Sequence, residues 1–158
     1  MELFSRKAPL TGSDAVRLRE VLRLFSEECS DVYDYSLLAM RAAAQFPAAA
    51  RLFDELARVE LAHLSQLGQY LLRYGLTPTP RFSPHRAAGG SFSLEQQAAL
   101  EAALAARIKE EREGAGAYTR LAAGLQGTPA ARMFGQIAAE EEEHAAAIEG
   151  LMSRMRQS

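Results

Sequence analysis

Apolar residues recur at three- and four-residue steps along four stretches of the chain, and near its middle each stretch is interrupted by a glutamate. The first reads Val21, Phe25, Glu28, Val32, Tyr35, Ala39, and the second Phe53, Leu56, Glu60, His63, Leu67, Tyr70. The third reads Leu104, Ile108, Glu111, Ala115, Tyr118, Ala122, and the fourth Phe134, Ile137, Glu141, His144, Ile148, Leu151. This period lines up one face of a helix, so the pattern predicts four amphipathic helices. Local chemistry sets their ends. Ser13 reads as the first N-cap, with Asp14 favourable in the first turn, and the helix runs over about 14–45. Pro47 suits the first position of a second helix over about 47–74, which Gly75 stops as a C′ residue. Ser93 opens a capping box with Gln96 for a third helix over about 94–125. Gly127 follows it, and Thr128 and Pro129 cap and start a fourth over about 129–156.

The connections within the first and second helix pairs are short, which forces each pair into an antiparallel hairpin. The segment between the hairpins is longer and rich in proline and glycine, running from Leu76 to Phe92. A helix of about 30 residues is roughly 45 Å long. This 17-residue segment spans up to roughly 55 Å when extended. It can therefore traverse the bundle or stay coiled at one end, and length alone does not choose between them.

Composition narrows the class. The 158 residues suit a single domain over 1–158, and they are rich in alanine, leucine, glutamate and arginine, all good helix formers. The net charge of −2 gives no sign of a nucleic-acid partner. No apolar run is long enough to span a membrane, and no apolar stretch follows the first residues as a secretion signal would require. A cytoplasmic setting is the expectation. Cys29 is the single cysteine, which excludes an internal disulfide framework and a Cys₄ iron site; it reads as a small packed residue.

The interrupting glutamates carry the chemistry. Residues three apart share a helix face, so Glu60 points with His63 and Glu141 with His144. With Glu28 and Glu111, six polar groups converge at one depth in the bundle. Four buried carboxylates without counter-charge would cost several kcal/mol each. Two divalent cations cancel them, and oxygen plus imidazole donors without thiolate fit iron or manganese better than structural zinc. The hairpins also repeat one another. Phe-x-x-x-Ala-x-x-Glu-x-x-His occurs from Phe53 to His63 and again from Phe134 to His144, and a tyrosine lies seven residues after Glu28 (Tyr35) and after Glu111 (Tyr118). The repeat implies a pseudo-two-fold axis through a pair of metals; Tyr35 and Tyr118, one seam layer from the glutamates, read either as hydrogen-bond partners of the ligand carboxylates or as plain core tyrosines. Glu27, Glu110, Glu140, Glu142 and Glu143 read as pointing away from the site, and His85 as exposed in the linker.

Through Glu28–Tyr35, Glu60-Leu-Ala-His63, Glu111–Tyr118 and Glu141-Glu-Glu-His144 the chain resembles the ferritin-like superfamily, and within it the rubrerythrin-related proteins. The resemblance implies an all-α, ferritin-like four-helix bundle, two antiparallel hairpins joined by a long crossover. It implies two iron ions, with Glu60 and Glu141 bridging and Glu28, His63, Glu111 and His144 as terminal ligands. The implied activity is that of a di-iron oxidoreductase reducing hydrogen peroxide or dioxygen, with ferroxidase or iron-storage chemistry as the alternative. Rubrerythrins usually add a rubredoxin-like domain, whose Cys₄ iron the single cysteine of this chain cannot build; an external electron donor is therefore expected. They also carry a further carboxylate three residues beyond the third-helix glutamate, where this chain has Gly114; Asp31, the equivalent position on the first helix, is a candidate extra ligand. The haem-binding bacterioferritin pattern would want a methionine where Leu61 stands, so no haem is expected, and a homodimer is expected rather than a storage cage.

Overall fold

A computed structural model of the chain describes residues 11–79 and 97–157. Within them lie four helices: α1 (Gly12–Ala42), α2 (Pro47–Arg73), α3 (Gln97–Ala123) and α4 (Pro129–Gln157). They correct the sequence reading at both ends of α1. The cap of α1 is Thr11, not Ser13: the Thr11 hydroxyl accepts from the Asp14 backbone N–H at 3.2 Å, and the Asp14 carboxylate accepts from the Thr11 N–H at 2.9 Å. That reciprocal pair satisfies two amide donors of the first turn, where Ser13 would satisfy one. At the far end α1 stops at Ala42, a few residues short of Gln45. The other punctuation is as expected. Gly75 takes a positive φ of 75° as α2 ends, and the Leu76 N–H reaches back to the Leu71 carbonyl. Gly127 takes 80°, the Thr128 hydroxyl accepts from the Ala131 N–H, and Pro129 opens α4. The Ser93–Gln96 capping box and His85 lie outside the described residues.

α1 packs along α2 and α3 along α4, and α2 also meets α4, whereas α1 and α3 approach each other little. The core has two halves. One joins Leu18, Val21 and Leu24 of early α1 to Leu67 and Leu71 of late α2, Tyr118 and Leu121 of late α3, and Phe134 and Ile137 of early α4. The other joins Tyr35 and Ala42 to Phe53 and Leu56, Leu100 and Leu104, and Ile148 and Leu151. Each fully buried Leu, Ile or Phe here contributes about 1.5–3 kcal/mol of transfer free energy. The membership of the two halves fixes direction. α1 and α4 run one way and α2 and α3 the other, so α2 ends at the opposite end of the bundle from where α3 begins. Of the two options left open by linker length, the helix directions are those of the ferritin-like one. None of the described helices is long and apolar enough to cross a membrane.

Candidate metal centre

Between the two apolar halves lies a polar layer of six side chains, one glutamate from each helix and a histidine from α2 and from α4. Glu28, Glu60, His63, Glu111, Glu141 and His144 are each 6% exposed or less. They sit at mid-helix on the buried seam, so the packing that buries the phenylalanines and leucines either side takes these groups out of water with them. They form two groups of four donors. Glu28, Glu60, His63 and Glu141 bring one atom each within 4.8 Å of one another, and so do Glu60, Glu111, Glu141 and His144. Glu60 and Glu141 belong to both.

Both imidazoles turn Nδ1 to the middle. His63 Nδ1 lies 2.9 Å from Glu60 Oε2, 3.0 Å from Glu141 Oε1 and 3.7 Å from Glu28 Oε2. His144 Nδ1 lies 2.9 Å from Glu60 Oε1 and 3.2 Å from Glu111 Oε2. The rings stand 5.8 Å apart, nearly parallel. The pseudo-two-fold axis extends to the tyrosines. Tyr35 of α1 donates to Glu111 Oε1 and Tyr118 of α3 donates to Glu28 Oε1. Tyr35 in turn stacks on Phe53 at 6.0 Å between centroids, and Tyr118 on Phe134 at 6.3 Å. Each phenol thus fixes one oxygen of a carboxylate and leaves the other facing the centre.

The donor set fits metal ions on two grounds. Glu28 Oε2, Glu60 Oε1 and Glu141 Oε1 are buried acceptors with no hydrogen bond of sound geometry, although imidazole nitrogens stand close to each. Such oxygens lack a partner that a cation would supply. Three carboxylate oxygens and one imidazole nitrogen, packed into a space about as wide as the donor shell of one ion, are also the mixture that suits iron or manganese. Protons fill this role in the metal-free protein. Burial, reinforced by the charge of Glu60, pushes Glu28 up to about 8 and Glu141 up to about 11. Burial would raise Glu60 as well, but the two histidines outweigh it and bring it down to about 2; Glu111 is lowered too, with His144 the main cause against burial. Burial disfavours both imidazolium ions, yet their carboxylate neighbours win, raising His144 to about 9 and His63 further. Raised carboxyls on Glu28 and Glu141 and protonated imidazoles beside Glu60 and Glu111 together offset the buried negative charge.

Two charged residues reach the layer that the sequence reading did not place there. Arg107, one turn before Glu111, is 5% exposed; its guanidinium lies 2.5 Å from Asp31, 2.6 Å from Glu110 and 3.5 Å from Glu111, and sits 4.5 Å above the Tyr35 ring. Asp31, the candidate extra ligand, is thus engaged by Arg107 and joins neither group of four. Glu110 is likewise drawn in by Arg107. Glu140, expected to point away, instead lies with Oε2 2.7 Å from His63 Nε2. Glu142 and Glu143 are exposed, and Glu27 pairs with Arg23 at the surface.

Where α1 and α3 stand apart, a cavity of about 310 Å³ reaches the layer, lined by Glu28, Glu111, Glu141, Gly114 and Arg107 among others. Gly114 faces it: a Cβ there would meet Glu141 Oε2 at 3.4 Å.

Fold and site together define a helical bundle with a buried carboxylate–histidine cluster of dinuclear geometry. The family model Rubrerythrin matches residues 102–158, nearly all of the second hairpin with Glu111, Tyr118, Glu141 and His144. That match is consistent with a ferritin-like, rubrerythrin-related protein. No curated protein matches the chain significantly.

Proposed function

We propose that Glu28, Glu60, His63, Glu111, Glu141 and His144 hold two iron ions, and that the protein is a di-iron oxidoreductase of rubrerythrin type that reduces hydrogen peroxide or dioxygen. The observation that carries this is the interlocking of two four-donor groups through Glu60 and Glu141. Carboxylates common to both groups would hold two cations side by side. A di-iron pair held by these six residues would supply two electrons, which peroxide would take with two protons to give two waters, and a separate donor would return them. The chain's own residues prepare that chemistry. Glu60 and Glu141 span the two positions, while Tyr35 and Tyr118 anchor Glu111 and Glu28 by one oxygen each. The flanking apolar halves keep bulk water out along the bundle axis, so a small oxidant arrives from the side, through the α1–α3 cavity, over Gly114.

Ferroxidation and iron handling form the second reading. The same cavity is also lined by Glu27, Glu110 and Glu113, and although Arg23, Arg107 and Arg120 line it too, carboxylates outnumber the arginines and favour a cation over neutral peroxide. The two readings part when anaerobic Fe(II)-loaded protein is mixed with peroxide or with dioxygen and followed optically. Fast oxidation by peroxide and slow oxidation by dioxygen support the first. Sustained oxidation by dioxygen of Fe(II) well beyond the bound pair would replace it with the second.

A further inference from the structure

The two halves of the layer are built from repeated motifs, yet they are not equivalent. An offset of 81 residues relates Glu60 and His63 to Glu141 and His144, and the same offset sets Glu140 opposite Val59. Glu140 Oε2 lies 2.7 Å from the outer nitrogen, Nε2, of His63. Its other oxygen accepts from Gln136 Nε2 at 2.9 Å, which braces the carboxylate in place. On the opposite side the ring of His144 is engaged only through Nδ1 among the described residues, and Val59 has no group to offer its Nε2. The tyrosine contacts do not separate the two sides, because Tyr35 and Tyr118 serve Glu111 and Glu28 alike.

A carboxylate that accepts from the far N–H of an imidazole fixes the ring's tautomer and orientation and makes the near nitrogen a stronger donor. Only His63 has this support. Arg107 adds a difference of the same sign: its guanidinium lies 3.5 Å from Glu111, and Leu24 occupies the equivalent place beside Glu28. A cation near Glu111 opposes a second cation there, although Asp31 and Glu110 share its charge.

We infer that Glu140 is a positioning residue that makes the His63 side the tighter of two unequal metal positions, so that ions load there first. This rests on the dinuclear reading above. The test is anaerobic titration of the metal-free protein with Co(II), followed by visible absorbance and calorimetry. Two unequal steps totalling two ions per chain are expected. Glu140→Gln should weaken the tighter step by about 10- to 100-fold and leave the other in place. In a His63→Ala background, Glu140→Gln should leave the remaining step unchanged. Glu140→Asp, which keeps the charge, should fall between wild type and Glu140→Gln, and serves if the amide variant does not fold. Two ions bound with Glu140→Gln shifting neither step, or both alike, would overturn the inference while leaving the dinuclear reading intact. A wild-type protein that binds no Co(II) would overturn both.

Discussion

The Tyr35 hydroxyl on α1 donates to Glu111 on α3, linking the two hairpins across the face where their backbones approach least. Tyr118 returns the bond from α3 to Glu28 on α1. These two phenols therefore do two things: they tie the hairpins together, and they aim a carboxylate at the centre. Tyr35→Phe removes the donor and keeps the stack on Phe53. The expected loss is about 1–3 kcal/mol in the metal-free protein, since a buried carboxyl oxygen is left without its partner. Chemical denaturation of Tyr35→Phe and Tyr118→Phe measures it. A change within error of zero in both would show that the bonds do not tie the hairpins.

Arg107 and Asp31 behave as a buried pair. Arg107→Met leaves Asp31 and Glu110 without their cation, and a loss of about 3–5 kcal/mol is expected. The double variant Asp31→Asn, Arg107→Met should recover part of that loss, because one of the stranded charges is gone. If the double variant is less stable than Arg107→Met alone, Arg107 acts through packing on Tyr35 and not through its ion pairs.

Stability of the metal-free protein should depend on pH in a defined direction. Glu28, Glu141, His63 and His144 all hold their protons more tightly folded than unfolded. The stability they carry is present at low pH and lost as pH rises through about 8 for Glu28 and about 9 for His144. Glu60 is shifted the other way, so its contribution is present above the ordinary glutamate range and lost as pH falls toward 2. Melting temperature should therefore peak near the ordinary glutamate range, about pH 4.5, and fall steadily as pH rises from there through about 9. Metal loading should remove that fall, because the cations replace the protons.

The same groups set the proton count of metal binding. Near neutral pH, filling the site must displace one proton from each of Glu28, Glu141, His63 and His144. Up to about four protons should be released per filled site, read by calorimetry in buffers of different ionisation enthalpy. Binding with no proton release would mean that the cations sit elsewhere.

Much of this was legible in the sequence because helices report their faces directly. The i, i+3 spacing of Glu60 with His63 and of Glu141 with His144 places each pair on one side, and the apolar seam around them indicates that the side is inward. Gly75, Thr128 and Pro129 mark helix ends by backbone chemistry that tertiary context does not override. What escaped depends on contacts between helices. Nothing in the sequence sets Arg107 apart from the other arginines; Asp31, on a different helix, and the Tyr35 ring meet it only in the folded bundle. Glu140 sits one residue before a seam position and reads as solvated; it reaches the site because α2 packs against α4 and brings His63 Nε2 to it. The N-cap was misassigned by two residues because Ser13 is the commoner cap type nearest Asp14, while the spacing from Thr11 to Asp14 is the one that closes a capping box. Linker length left the direction of α3 relative to α2 open and the family resemblance implied it; which residues share each half of the core fixes it.

The most direct measurement is the metal content of the protein after anaerobic reconstitution with Fe(II) and removal of unbound ions. The account predicts two irons per chain, lost together with the melting-temperature gain when Glu60 and Glu141 are both replaced by Ala. Wild-type protein that retains no iron above background, with a melting temperature unmoved by Fe(II), would contradict it.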